Sequence, residues 1–192
     1  MDYRGEISSY YSEWWENPKD IRNVVFEGLN ELVRGRIPEG KGKKALDIGA
    51  GKGKIVAYLL EKGYEVTAVE LSKQFADRLR KRFPTVRVIQ RDVCDLNLDE
   101  HFDLVTMIEL AQNLRREDLE EVLRKLARIA NYLFINISNR NSLHGKWVEF
   151  RGFRNDFVFM YTPNDLESML QNAGFVRVYT KGGWISYAYQ LI

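Results

Sequence analysis

Between Ala45 and Ile137 short apolar runs alternate with amphipathic stretches, and that alternation constrains the fold more than any other feature of the chain. The segments "ALDI", "YEVTAVE", "VRVIQ", "FDLVTMI" and "NYLFINI" read as strands, while "KIVAYLLEKG", "SKQFADRLRKRF" and "REDLEEVLRKLARIA" carry helical periodicity. Strands separated by helices pair parallel and are covered on both faces. Two further helix starts are marked by their caps: Asn17, Pro18 and Asp20 near the N-terminus, and Thr162 with Pro163 near the C-terminus, the latter helix closing at Gly174. The final strands, "VRVYTKG" and "WISYAYQLI", are joined only by a turn around Gly182 and Gly183. That is too short for a crossover, so they are expected to pair antiparallel.

The length of 192 residues and 45% hydrophobic content suit a single domain over 1–192; folding at that size buries about 70% of the unfolded chain's surface. A single cysteine, Cys94, excludes an internal disulfide, and two histidines, His101 and His144, are too few for a Cys/His zinc cluster, so no metal is expected. The stretch "MDYRGEISSYYSEWWEN" lacks the apolar core of a signal peptide, and no run of apolar residues is long enough to span a bilayer. A cytoplasmic chain with no membrane partner is the expectation; its oligomeric state stays open. The net charge of +2 argues against a nucleic-acid partner, which usually leaves a clustered basic footprint. The densest basic run, "RLRKRF" at 78–83, reads as the solvated face of a helix.

The turn "LDIGAGKGK" sits where the first strand passes into a helix. In a parallel sheet, ligands bind outside the carboxyl ends of the strands, and glycines there let a ligand approach the backbone. A dinucleotide fingerprint would place its third glycine at position 54, where Lys54 stands; Gly53 comes one residue early. A tight turn with no ligand stays open on this motif alone. Glu70, 21 residues after Gly49, ends the second strand, where a carboxylate can accept hydrogen bonds from both hydroxyls of a ribose. Asp92, beyond the third strand, can accept one from an exocyclic amine. Three successive strand ends thus suit one adenosine.

In this order "ALDIGAGKG", "VTAVELS", "QRDV" and "FDLVTMIEL" resemble the class I S-adenosylmethionine-dependent methyltransferases, and "YTPNDLESMLQNAGF" with two terminal strands resembles that family's ending. The resemblance implies an α/β, Rossmann-like three-layer sandwich: a seven-stranded, mostly parallel sheet with an antiparallel last strand. It implies S-adenosyl-L-methionine as cofactor, with Gly49, Ala50 and Gly51 lining the methionine portion and Asp47 holding its ammonium. Glu70 would take the ribose diol, Leu71 would pack on the adenine, Asp92 and Val93 would bind the adenine edge, and Glu109 would lie close by. Tyr11, in an N-terminal helical cap over 1–40, would touch the cofactor. Because this cofactor has no phosphate and carries a cationic sulfonium, it does not want the positive helix end that a pyrophosphate does. Many relatives have a histidine where this chain has Asn113, so a base at that position does not carry over.

Methyl transfer from a sulfonium needs mainly orientation, which supplies up to ~7–11 kcal/mol, whereas a general base adds about 10²- to 10⁴-fold. The stretch 138–161 combines basic and aromatic residues and reads as a substrate lid, with Arg140, His144 and Trp147 as acceptor contacts; a solvated excursion anchored by its aromatics stays open. Glu109 and His144 are the candidate catalytic groups, although a structural or surface role suits His144 better. Methyl transfer to a small molecule is the expected function. The alternatives are a non-catalytic cofactor-binding or regulatory protein and an NAD-dependent oxidoreductase.

Overall fold

The computed structural model describes residues 34–137, 140–141, 159–181 and 185–191, with 178–181 and 185–191 described by backbone alone. Tyr11, the helix start at Asn17, most of the 1–40 cap, His144, Trp147 and most of 138–161 lie outside the described residues. The chain divides into two compact units, 1–93 and 94–192.

In the first unit, β1 (Lys44–Ile48), β2 (Glu65–Glu70) and β3 (Arg87–Gln90) alternate with α1 (Lys54–Glu61) and α2 (Lys73–Arg82). β2 pairs parallel with both neighbours, Ile48 standing opposite Val69 and Glu70 opposite Gln90. The carboxyl ends of all three strands therefore reach one edge together. β1 and β2 are buried nearly throughout, as strands covered on both faces must be. α1 buries Ile55, Val56, Tyr58 and Leu59. It ends at Gly63, whose φ of 85° lets Tyr64 N donate to Leu59 O and Gly63 N to Leu60 O, the paired bonds of a Schellman cap. α2 buries Phe75, Ala76 and Leu79 and turns Arg78, Arg80, Lys81 and Arg82 to solvent, as expected of the basic run. Ser72 caps it by position only: its hydroxyl makes no capping bond, and its N–H is committed elsewhere.

In the second unit, β4 (Phe102–Met107) pairs parallel with β5 (Ala130–Ile137), joined by a short 3₁₀ turn (Ala111–Asn113) and α3 (Arg116–Leu126). The helix expected to run to Ala130 stops at Leu126, because Arg128 N and Ile129 N donate to carbonyls three residues back and Ala130 already belongs to β5. α4 (Pro163–Asn172) begins with a full capping box: Asp165 N donates to Thr162 Oγ1 at 3.1 Å, and Thr162 N donates to Asp165 Oδ2 at 2.9 Å. Gly174, at φ 95°, follows its end. β6 (Phe175–Lys181) and β7 (Ile185–Leu191) pair antiparallel, and β7 also pairs antiparallel with β5. Among the described residues no helix is long and apolar enough to cross a membrane.

Candidate functional site

The first unit gathers most of the residues singled out in the sequence at the shared strand edge. Asp47 is buried near the end of β1, and the chain leaves that strand through Gly49 at φ 75° and Gly51 at φ 50°. Both values lie in the left-handed region that glycine enters without a steric penalty. Gly49 N and Ala50 N both donate to Val69 O, at 2.9 and 3.1 Å, so the turn is stitched to β2 immediately before Glu70. Glu70 is only 8% exposed. Its Oε2 accepts from Gly51 N and its Oε1 from Ser72 N, each at 2.8 Å. Burial pushes the Glu70 carboxyl up, while the backbone N–H groups of Ser72, Gly51 and Leu71 pull it back down. Val93 is buried, opening a 3₁₀ turn beyond β3, with Asp92 half-buried before it.

These contacts fit S-adenosylmethionine. The two oxygens of a carboxylate together offer about four acceptor positions, so Glu70 retains acceptor capacity beyond its backbone bonds. A buried carboxylate with spare acceptors, fixed at both oxygens, suits a pair of ribose hydroxyls, which would in turn ease the burial that raises its pKa.

Gly53 has a reason of its own for arriving early. It caps α1 at φ 78°, and a Cβ there would stand 2.5 Å from the Phe83 ring and 2.7 Å from Leu79 Cδ2. The glycine thus lets the start of α1 close against the end of α2, whatever the turn holds.

Glu109 follows β4 in the second unit with φ 57°, the one non-glycine residue at positive φ among those described. Such a conformation costs ~1–3 kcal/mol and persists only when its surroundings enforce it. Asn136, at the end of β5, does so: its Oδ1 accepts from Glu109 N at 2.6 Å, and its Nδ2 donates to Glu109 Oε1. Gln112 Nε2 donates to Glu109 Oε2 at 2.8 Å and to Glu109 O at 3.1 Å. Burial pushes the Glu109 carboxyl up to about 7, against the lowering by these two amides. Phe159 N donates to Gln112 O at 2.6 Å, and Tyr161 Oη donates to Leu114 O at 2.6 Å, tying the chain that returns from 138–158 to the 3₁₀ turn. Asn113, on that turn, is buried and donates its N–H to Leu110 O. Arg140 is exposed, and its N donates to Tyr161 O.

Sequence reasoning named both glutamates but neither Gln112 nor Asn136. Asn136 left a trace as a polar residue breaking the apolar run of β5, and Gln112 lies three residues after Glu109. Only the pairing of β4 with β5 joins the two.

Residues 45–131 match the family model described as methyltransferase domain. The ribosomal RNA small subunit methyltransferase A of Geobacter sulfurreducens is 39% identical over 67 residues, 33% of this chain and 24% of that protein. The dTDP-4-amino-2,3,4,6-tetradeoxy-D-glucose N,N-dimethyltransferase of Saccharopolyspora spinosa is 31% identical over 100 residues, 51% of this chain and 39% of that protein. The chain thus spans well under half the length of these curated relatives. A Thermotoga maritima crystal structure, of a SAM-dependent methyltransferase and possible histamine N-methyltransferase, superposes with a TM-score of 0.74 at 20% identity, covering 99% of each chain. That likeness shows the α/β, Rossmann-like fold.

One expectation is overturned. The small net charge argued against nucleic acid, yet several relatives are ribosomal RNA methyltransferases. Net charge sums the whole chain and says nothing of a local face. The family match, the superposition and the strand-edge site agree, and residues 45–131 form a methyltransferase domain of the class I S-adenosylmethionine-dependent kind.

Proposed function

We propose that this chain transfers the methyl group of S-adenosylmethionine to an acceptor nucleophile. The observation that carries the reading is the buried Glu70 carboxylate, held by Gly51 N and Ser72 N and keeping acceptor positions for a diol. The bound cofactor supplies an activated methyl on a cationic sulfur. In this reading Asp47 binds the ammonium, Gly49, Ala50 and Gly51 line the methionine portion, Glu70 orients the ribose, and Leu71, Asp92 and Val93 receive the adenine. Glu109 and Tyr11 complete the pocket, and Arg140, His144 and Trp147 meet the acceptor. The whole chain then works as one domain over 1–192, with 1–40 as a cap and 138–161 as a lid. Its two strand groups join in a seven-stranded sheet whose last strand is antiparallel.

Similarity to the sugar N,N-dimethyltransferase supports a small-molecule acceptor. Similarity to the ribosomal RNA enzymes supports a second reading, a base in RNA. Tritiated methyl from S-adenosylmethionine, offered to a metabolite pool and separately to undermodified ribosomal RNA, distinguishes them by where the label appears. Label in either pool with release of S-adenosylhomocysteine excludes a pure binding protein. If neither S-adenosylmethionine nor S-adenosylhomocysteine raises the melting temperature, the reading is wrong; at a hundredfold excess over Kd a native-state ligand adds about 2.7 kcal/mol. Stabilisation by NAD instead would mark an oxidoreductase.

A further inference from the structure

The cluster around Glu109 is unbalanced in a way that points to what it receives. Gln112 is 4% exposed, and its amide nitrogen donates to both the carbonyl and the carboxylate of Glu109. Those two bonds fix which way the amide faces and turn its Oε1 away, buried and with no hydrogen-bond partner among the described residues. Asn136, also 4% exposed, uses Oδ1 and Nδ2 on Glu109. The cluster therefore has acceptor positions to spare on the Glu109 carboxylate and on Gln112 Oε1. A polar cluster rich in open acceptors is matched by an N–H-bearing ligand, ideally a cationic one.

Resting on the methyltransferase reading above, we propose that Glu109 and Gln112 receive an aliphatic amine as the methyl acceptor, Glu109 taking the proton that blocks the nitrogen lone pair. An amine arrives as ammonium, which cannot attack. A proton passes from nitrogen to the Glu109 carboxylate, giving a neutral amine and a neutral carboxylic acid, a transfer that burial of the carboxyl makes less uphill than it is in water. The freed lone pair then forms the new N–C bond as the C–S bond breaks and its electron pair returns to sulfur. The product leaves as a methylated ammonium, and the carboxyl returns its proton to solvent.

The carboxyl of Glu109, raised to about 7, is half ionised near neutrality, as a group that must both take and release a proton should be. Around the cluster, Tyr161 donates its hydroxyl to Leu114 O and Arg140 is tied to Tyr161 O through its backbone N; Arg115 and Arg116 follow the 3₁₀ turn, and β7, paired with β5 beside Asn136, carries Tyr187 and Tyr189. No cation pairs with Glu109 among the described residues.

The test uses the full chain with S-adenosylhomocysteine present and follows the Glu109 carboxyl by carbon NMR while methylammonium, methanol or acetate is added. Methylammonium should bind saturably and lower the Glu109 pKa by about one unit, a roughly tenfold preference for the ionised form, with no response to methanol or acetate. Gln112→Leu should weaken that response several-fold while leaving S-adenosylhomocysteine binding intact, and Glu109→Gln should abolish methylammonium binding read by calorimetry. If S-adenosylhomocysteine binds and methylammonium leaves Glu109 unmoved, this inference fails and the methyltransferase reading stands. If S-adenosylhomocysteine does not bind, the methyltransferase reading itself fails. Label transferred to oxygen, sulfur, carbon or an RNA base overturns the amine assignment directly.

Discussion

Two glutamates, Glu70 buried at the last position of β2 and Glu109 half-buried just beyond β4, are held in opposite ways. Glu70 is gripped by backbone N–H groups from the glycine turn and from the entry to α2. Glu109 is gripped by two side-chain amides, one of them 27 residues away, and its own backbone is strained. Backbone donors survive almost any change of sequence that keeps the turn. Side-chain donors are lost with a single substitution. The first arrangement is suited to an invariant task, binding one cofactor, and the second to a task that differs among relatives with different acceptors.

The largest expected effect separates the two by pH. Glu109 has a folded pKa of about 7 against an ordinary 4.5, so its protonated form is favoured by folding. Its penalty is absent below the ordinary value, grows as pH rises between the two, and is complete above 7, where it reaches roughly 3 kcal/mol. Urea unfolding at pH 5 and pH 8 should show stability falling over that window, and Glu109→Gln should reduce the fall by about the Glu109 share. Asn136→Ala removes a bond that lowers the pKa, so it should steepen the fall. A pH-independent difference between wild type and Glu109→Gln would contradict the assignment. Glu70 is also raised by burial, so its contribution has the same sign and survives in Glu109→Gln.

Next comes Glu70→Ala, which should weaken S-adenosylmethionine about ten- to a hundredfold, from the loss of charged hydrogen bonds worth ~1.5–3 kcal/mol. Unchanged affinity by calorimetry would remove Glu70 from the site. Gly53→Ala combines a positive φ with overlap on Phe83 and Leu79; it should cost roughly 1–3 kcal/mol on chemical denaturation. The smallest effect is the sharpest check of the contrast. Because Ser72 holds Glu70 through its N–H, Ser72→Ala should leave cofactor affinity within about twofold, less than one neutral hydrogen bond. A larger loss would mean that the hydroxyl matters and that the backbone grip is incomplete.

What could be read from the sequence follows the same division. The strands and helices were legible because each buries a face with a recognisable period, and Gly63, Thr162 and Gly174 mark ends whose chemistry is local. Glu70 was legible because its place depends on the end of β2 and on distance from the glycine turn. Its donors were not, since N–H groups carry no sequence signature. The Glu109 clamp was hidden for another reason: Asn136 meets Glu109 only after β4 and β5 align, with Met107 opposite Ile135. Gly53 taught a third lesson, because the sequence shows that a glycine is present but not that Phe83 and Leu79 crowd it.

The bond from Phe159 N to Gln112 O joins main chain to main chain, and so does that from Arg140 N to Tyr161 O. Both anchors are indifferent to which side chains stand between 142 and 158. A change of side chains in that stretch therefore leaves both bonds available. To evolution, or to an engineer, the two bonds mark where one cassette of chain could be cut out and another joined in, at points that any sequence can supply.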